Sequence, residues 1–268
     1  MSYGPLLVIA HRGASACQPE NTLPAFRLAF EALHADMVEF DIRTSKDGVP
    51  VVHHDAQLER TTNGKGYVIQ TTFRELEALD AGYHFDPSGG GKFQERGKGL
   101  RIPSLEEVLR EFPGRSFAIE IKERSAELTR SVMGLVKKYG ADERVIVGSR
   151  HNIVSRELKQ NFQGIRRFCS QGDIISLMID FRRGGRSGQK EPLVVASLPT
   201  RGFRMRFDSL EWIEHLHRCG IRIFFWTINS SLVMKSLWIK GADGILTDDP
   251  GLLNRVLDRK FETGPTGA

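Results

Sequence analysis

The stretch "VEFDIR" at 38–43 alternates apolar and charged residues with a period of two. In a strand Val38, Phe40 and Ile42 share one face, and Glu39, Asp41 and Arg43 share the other. Whether that strand joins an open sheet or a closed barrel depends on its neighbours. Seven further short apolar runs read as strands: "LLVIA" (6–10), "FAIEI" (117–121), "RVIVGS" (144–149), "IRRFC" (165–169), "LVVASL" (193–198), "IRIFFW" (221–226) and "DGILT" (243–247). Most are rich in β-branched residues and bounded by Gly, Asp or Pro. With "MVEFDI" (37–42) they make eight.

Amphipathic helical patterns fill the spaces between them. "TLPAFRLAFEALHA" sets Leu23, Phe26, Phe30 and Leu33 on one face, with Asn21 or Thr22 as its cap and Pro24 in its first turn. "SLEEVLREF" opens with Ser104 and has Glu107 three residues on, a capping box. Strands that alternate with helices run parallel and are joined by crossovers. Eight such units predict an α/β fold of the TIM (β/α)8 barrel type. Its 268 residues suit one such barrel domain, 1–268. Residues 43–116 separate the second strand from the third and hold "NGKG", "PSGGGK" and "RGKG". These loop signals predict an inserted subdomain or lid at 55–101 over the barrel mouth. The stretch "PTRGFRMRF" after the sixth strand is irregular, 181–192 reads as a mobile loop, and the tail "ETGPTGA" reads as flexible.

Three widely spaced cysteines, Cys17, Cys169 and Cys219, read as reduced thiols. No run is long enough to span a membrane, and the N-terminus lacks a basic leader. A cytoplasmic protein without stable membrane insertion is expected. The formal charge of +5 suits an anionic ligand. No basic stripe interleaved with aromatics points to nucleic acid.

Two carboxylates on one inward face repel each other and lose hydration. A divalent cation offsets both effects, and hard cations take oxygen ligands. The alternative is a network of those acids with Arg43. "FAIEIK" repeats the pattern on the third strand, with Glu120 and Lys122 on one face. A third acid on the neighbouring strand reaches the same ion, and Lys122 brings positive charge for a phosphate oxygen. Barrels of this type carry their active sites on the C-terminal rim. His11 follows the first strand there, and "VVHHD" (51–55) returns towards the second. Two histidines beside a metal-bound phosphate suit acid–base work near neutral pH. His34, His84, His151, His215 and His217 read as structural or exposed.

In order along the chain stand "HRGASACQPENTLPAF", "VEFDIRTSKDGVPVVHHDAQLERTT", "RIPSLEEVL", "AIEIK", "FFWTIN" and "GADGILTDDP". Together they resemble the glycerophosphodiester phosphodiesterase family from His11 to about Leu253. The resemblance implies a TIM barrel with an insertion after the second strand. It implies hydrolysis of glycerophosphodiesters to glycerol 3-phosphate and an alcohol, with a small-molecule substrate and a divalent cation, Mg²⁺ or Ca²⁺. It implies Glu39, Asp41 and Glu120 as metal ligands and His11 and His54 as the acid–base pair. His53 stands where the family usually has an apolar residue. Arg12 and Lys122 match phosphate contacts, Glu20 and Asn21 lie in the "PENT" turn that shapes the site, and Trp226 matches an aromatic wall. A lysophospholipase D acting on lipids is the alternative in the same fold, and it calls for an apolar approach surface, for which Phe85 and Phe93 are candidates. A non-catalytic phosphate-binding barrel is the alternative from another class.

Overall fold

The computed structural model describes residues 5–185 and 194–259. Of the loop expected at 181–192, Phe181 and Arg182 instead end a helix, and 186–192, like the tail at 262–268, lies outside the described residues. All eight expected runs are strands: β1 Leu7–His11, β2 Met37–Thr44, β3 Ser116–Ile121, β4 Val145–Gly148, β5 Arg166–Phe168, β6 Val194–Leu198, β7 Arg222–Phe225 and β8 Gly244–Thr247. Each pairs in parallel with its neighbours, and β1 pairs with both β2 and β8. That double pairing closes the sheet into the (β/α)8 barrel. Its crossover helices are α1 Leu23–Glu31, α2 Leu105–Glu111, α3 Ala126–Lys138, α4 Asn152–Asn161, α5 Gln171–Arg182, α6 Leu210–Arg218 and α7 Ser231–Ile239, with α8 Pro250–Val256 after the last strand.

Two apolar layers hold this architecture. The larger lies between the strands and the helices, where Val38, Phe40, Ile42, Phe117, Ile119 and Ile121 meet residues such as Phe26, Leu105 and Val132. Phe26 and Phe40 stack at 5.4 Å, and Phe40 meets Phe117 edge-on at 5.4 Å. The smaller layer plugs the barrel axis. Ile9, Met37, Ala118, Ile146, Phe168, Val195, Phe224 and Leu246 form it, one from each strand. Gly244 makes room for it, since a Cβ there would stand 2.7 Å from Phe224. The period-two alternation of strands then sets His11, Glu39 and Glu120 on the next inward level, towards the C-terminal rim.

Thr22, rather than Asn21, caps α1, its side chain accepting from the Ala25 N–H. The expected capping box of Ser104 and Glu107 opens α2. In the β2–β3 connection, Pro50–Val52 runs back antiparallel to β2. Short helical turns follow at Val68–Gln70 and Phe73–Glu77. Val51, Leu58, Val68, Leu76, Ala81 and Ile102 cluster apart from the barrel layers. The irregular stretch after β6 holds a small hairpin of Arg201–Gly202 and Met205–Arg206.

Candidate active site

Parallel pairing of β2 with β3 sets Asp41 directly beside Glu120. Glu39 lies one inward step below Asp41. An oxygen from each of Glu39, Asp41 and Glu120 lies within 4.8 Å of the others. Lys122 Nζ bridges two of them, at 2.9 Å from both Asp41 Oδ1 and Glu120 Oε2. Arg12 approaches from β1, with Nε 3.3 Å from Asp41 Oδ2 and Nη1 donating to Glu20 Oε1 at 2.8 Å. Its backbone N–H donates to the Glu39 carbonyl at 2.8 Å. Asn21 Nδ2 donates to Asp41 Oδ2 at 3.0 Å. Arg12 and Asn21 both have left-handed backbones, at φ 57° and 59°. Such conformations are costly for residues other than glycine and cluster at functional sites.

The two buried acids of β2 are electrostatically opposite. Burial pushes the Glu39 carboxyl up to about 8, and the neighbouring Asp41 charge adds to the rise. Burial would raise Asp41 as well, but Lys122 and Arg12 outweigh it and hold that group at about 2. A buried carboxyl driven towards its neutral form, beside two further carboxylate oxygens, is a donor set that suits a hard divalent cation. Arg43 does not join these acids as the alternative network required. It reaches outward, where Nη1 donates to Glu123 at 3.2 Å and Nε to the His54 carbonyl at 2.8 Å.

Two histidine–carboxylate pairs flank the acids. His11 Nδ1 lies 2.7 Å from Asp248 Oδ1. Asp248 is held in turn by Ser15 Oγ at 3.0 Å and Asn229 Nδ2 at 2.6 Å. The β1–β8 register, Ala10 opposite Thr247, makes this contact across 237 residues of sequence. Burial disfavours the charged His11 ring, but the Asp248 hydrogen bond and the Glu39 charge outweigh it and raise the pKa. His54 Nδ1 lies 2.7 Å from Asp55 Oδ1. There burial, with Lys122 and Arg12, prevails over the pull of Asp41 and lowers the pKa. Arg60 ties this pair to the "PENT" turn, bonding Asp55 Oδ2 through Nε and Glu20 through both terminal nitrogens.

His11, Arg12, Glu39, Asp41, His54, Glu120, Lys122 and Trp226 line one cavity of about 320 Å³. Its far wall adds Ser149, Phe168, Cys169, Ser197 and Leu246. Trp226 is 43% exposed at this wall and is not a core residue. Glu20 and Asn21 do not line the cavity: Glu20 braces Arg12 and Arg60, and Asn21 braces Asp41. His53 is buried with Nε2 3.2 Å from the Gln57 carbonyl, while its neighbour His54 faces the cavity. None of His34, His84, His151, His215 and His217 lines it. Sequence reasoning gave no role to Asp248, Asp55 or Arg60. The first two stand in the quoted "TDDP" and "HHD" runs, yet nothing local pairs Asp248 with His11.

Comparison with known proteins assigns the family and the fold. Residues 11–252 match the model of the glycerophosphoryl diester phosphodiesterase family. A glycerophosphodiester phosphodiesterase of Caldanaerobacter subterraneus subsp. tengcongensis is 34% identical, over 92% of this chain and 96% of its own. A mouse lysophospholipase D is 29% identical, over 96% of this chain and 84% of its own. Among solved structures, the glycerophosphoryl diester phosphodiesterase domain of a Mycobacterium tuberculosis protein superposes with a TM-score of 0.83 at 21% identity, covering 96% of this chain and all of that one. An Oleispira antarctica phosphodiesterase solved with the product sn-glycerol-3-phosphate has a TM-score of 0.74 at 23% identity, covering 95% and 97%. The family match spans nearly the whole barrel and includes every residue of the histidine–carboxylate rim: the chain belongs to the glycerophosphoryl diester phosphodiesterase family.

Proposed function

We propose that this chain hydrolyses glycerophosphodiesters to glycerol 3-phosphate and an alcohol, with His11 and His54 as the acid–base pair. The observation that carries the reading is the opposed pair of histidine–carboxylate dyads facing one cavity across three clustered acids. Groups whose surroundings push their pKa values apart take opposite roles. His54, lowered, is neutral near pH 7 and accepts the proton of the attacking oxygen. His11, raised, is the donor that gives a proton to the leaving alkoxide. Each ring uses Nδ1 on its carboxylate, which leaves Nε2 for the proton transfer. Asp248 and Asp55 hold each ring in one orientation and stabilise its charged form.

Glu39, Asp41 and Glu120 are the residues that hold a divalent cation, Mg²⁺ or Ca²⁺. When bound, the ion supplies positive charge to a phosphoryl oxygen. Arg12 and Lys122 add fixed cations on the same side, and a phosphodiester displaces part of their present ion pairing with the acids. Trp226 supplies an aromatic wall for the organic half of the substrate. Residues 55–101 act as a lid or small subdomain beside the mouth, a reading supported by the apolar cluster that Leu58, Val68, Leu76 and Ala81 form with the flanking Val51 and Ile102. We place the protein in the cytoplasm, a reading that rests on the wide spacing and odd number of its three cysteines. No helix of the described residues is long and apolar enough to cross a membrane.

The test is release of glycerol 3-phosphate from glycerophosphocholine with Mg²⁺, with Ca²⁺ and with EDTA. Release that EDTA abolishes is expected. No release with either ion would overturn the reading in favour of the lipid substrate, with lysophosphatidylcholine as the next compound. That second reading has support in the half-exposed Trp226 and in the mouse relative named a lysophospholipase D. A non-catalytic barrel has less, because every acid and both histidines meet in one cavity.

A further inference from the structure

The cavity wall beyond the acids carries a cation that the proposed chemistry does not use. Arg150 is the second residue past the end of β4, next to buried Ser149, and both line the cavity. Arg150 is exposed, and its guanidinium makes no ion pair with a carboxylate among the described residues. Arg124 is exposed on the adjoining β3 loop, two residues beyond Lys122. Both arginines act on His151, whose pKa burial lowers first and the charges of Arg150 and Arg124 lower further, against the pull of Glu120. Exposed guanidiniums at a cavity rim add positive potential there. The other cations of the rim are spoken for: Lys122 bridges Asp41 and Glu120, Arg12 meets Glu20 and Asp41, and Arg43 meets Glu123.

The placement separates this pair from the phosphorus site. Going round the barrel, His11 and Arg12 follow β1, Glu39 and Asp41 lie on β2, Glu120 and Lys122 close β3, and Arg150 follows β4. Arg150 therefore lies one strand further round the rim than Glu120 and Lys122, and it is exposed. A substituent that extends from the phosphate past Glu120 towards β4 meets a guanidinium. Guanidinium forks bind carboxylates and phosphates in bidentate fashion.

We propose that Arg150, assisted by Arg124, is a specificity determinant for glycerophosphodiesters whose alcohol half carries an anionic group, a carboxylate or a phosphate. The inference rests on the phosphodiesterase reading above. Charge-assisted contact of one exposed guanidinium gives a preference of about tenfold in kcat/KM over an uncharged group of the same shape. Most of it resides in KM, because the contact is remote from the breaking bond and is made equally in ground and transition states.

The experiment compares three substrates with the metal-loaded protein: glycerophosphocholine, the glycerol phosphate ester of glycolate, and its isosteric glycolamide. The expected result is about tenfold faster kcat/KM on the glycolate ester than on the glycolamide, reduced by 0.5 M NaCl. Arg150→Gln is expected to collapse that ratio towards one, and Arg124→Gln to lower it two- to threefold. Turnover of glycerophosphocholine with equal rates on the matched pair would overturn this inference and leave the phosphodiesterase reading standing. A preference that survives in both variants, or a loss in Arg150→Gln that is equal on all three substrates, would overturn it too. No turnover of any of the three would overturn both.

Discussion

His11–Asp248 and His54–Asp55 are the same pair in two settings. Each imidazole sets Nδ1 2.7 Å from a carboxylate oxygen, and each lines the same cavity. Their pKa values nevertheless move in opposite directions. Burial lowers both. The difference lies in the next neighbours: His11 meets the Glu39 carboxylate and Arg12, whereas His54 meets the Asp41 carboxylate together with both Lys122 and Arg12. A carboxylate partner orients a histidine, but the wider field decides whether the ring favours holding or accepting a proton.

The comparison breaks most severely if the acids between the pairs are removed. Asp41→Ala or Glu120→Ala is expected to lower kcat by about a thousandfold or more, with the barrel still folded by circular dichroism. Glu39 gives a sharper test in EDTA-treated protein. Its folded pKa of about 8 lies above the ordinary 4.5, so the folded state binds the extra proton. Stability is therefore full below about pH 4.5 and declines as pH rises towards about 8. Glu39→Gln is expected to abolish activity and flatten that decline in thermal melts. A decline of unchanged slope would refute the assignment.

Next in size is the contrast between adjacent histidines. His54→Ala is expected to cost about a hundredfold or more in kcat, the range for a lost general base. His53→Ala is expected to cost about 1–2 kcal/mol in stability, from its buried ring, with a far smaller change in kcat. Equal kinetic losses would remove the distinction.

A pH–rate profile tests the opposed shifts directly. The acid limb, set by the base His54, is expected below pH 6.5, and the alkaline limb, set by the acid His11, above it. Asp248→Asn removes the largest influence that raises His11, so the alkaline limb should move to lower pH, with kcat down about tenfold or more. An unmoved limb would separate His11 from that titration. The smallest effect belongs to Arg60, which is half exposed and braces Glu20 and Asp55 from outside the cavity. Arg60→Ala is expected to raise KM about two- to fivefold with kcat nearly kept.

The eight strands and the acids of "VEFDIR" and "FAIEIK" were legible along the chain, because apolar periodicity is local and a strand's two faces follow from alternation. The resemblance added the acid–base roles proposed for His11 and His54, and the loop signals marked the long connection between the second and third strands. Ring closure and loop paths were not legible. Asp248 reaches His11 because β1 pairs with β8, a contact that no local pattern encodes. His54 rather than His53 faces the cavity because the chain bends beyond the return strand, which ends at Val52. Asn21 leaves the capping role to Thr22, since its left-handed backbone aims its amide at Asp41. Arg43 leaves the acids because Glu123 and the His54 carbonyl offer it partners at the rim. The sequence by itself determined which elements form and which residues face inward, because both depend on near neighbours in the chain. Only the tertiary structure decided which charge meets which, because those distances exist only once the barrel has closed.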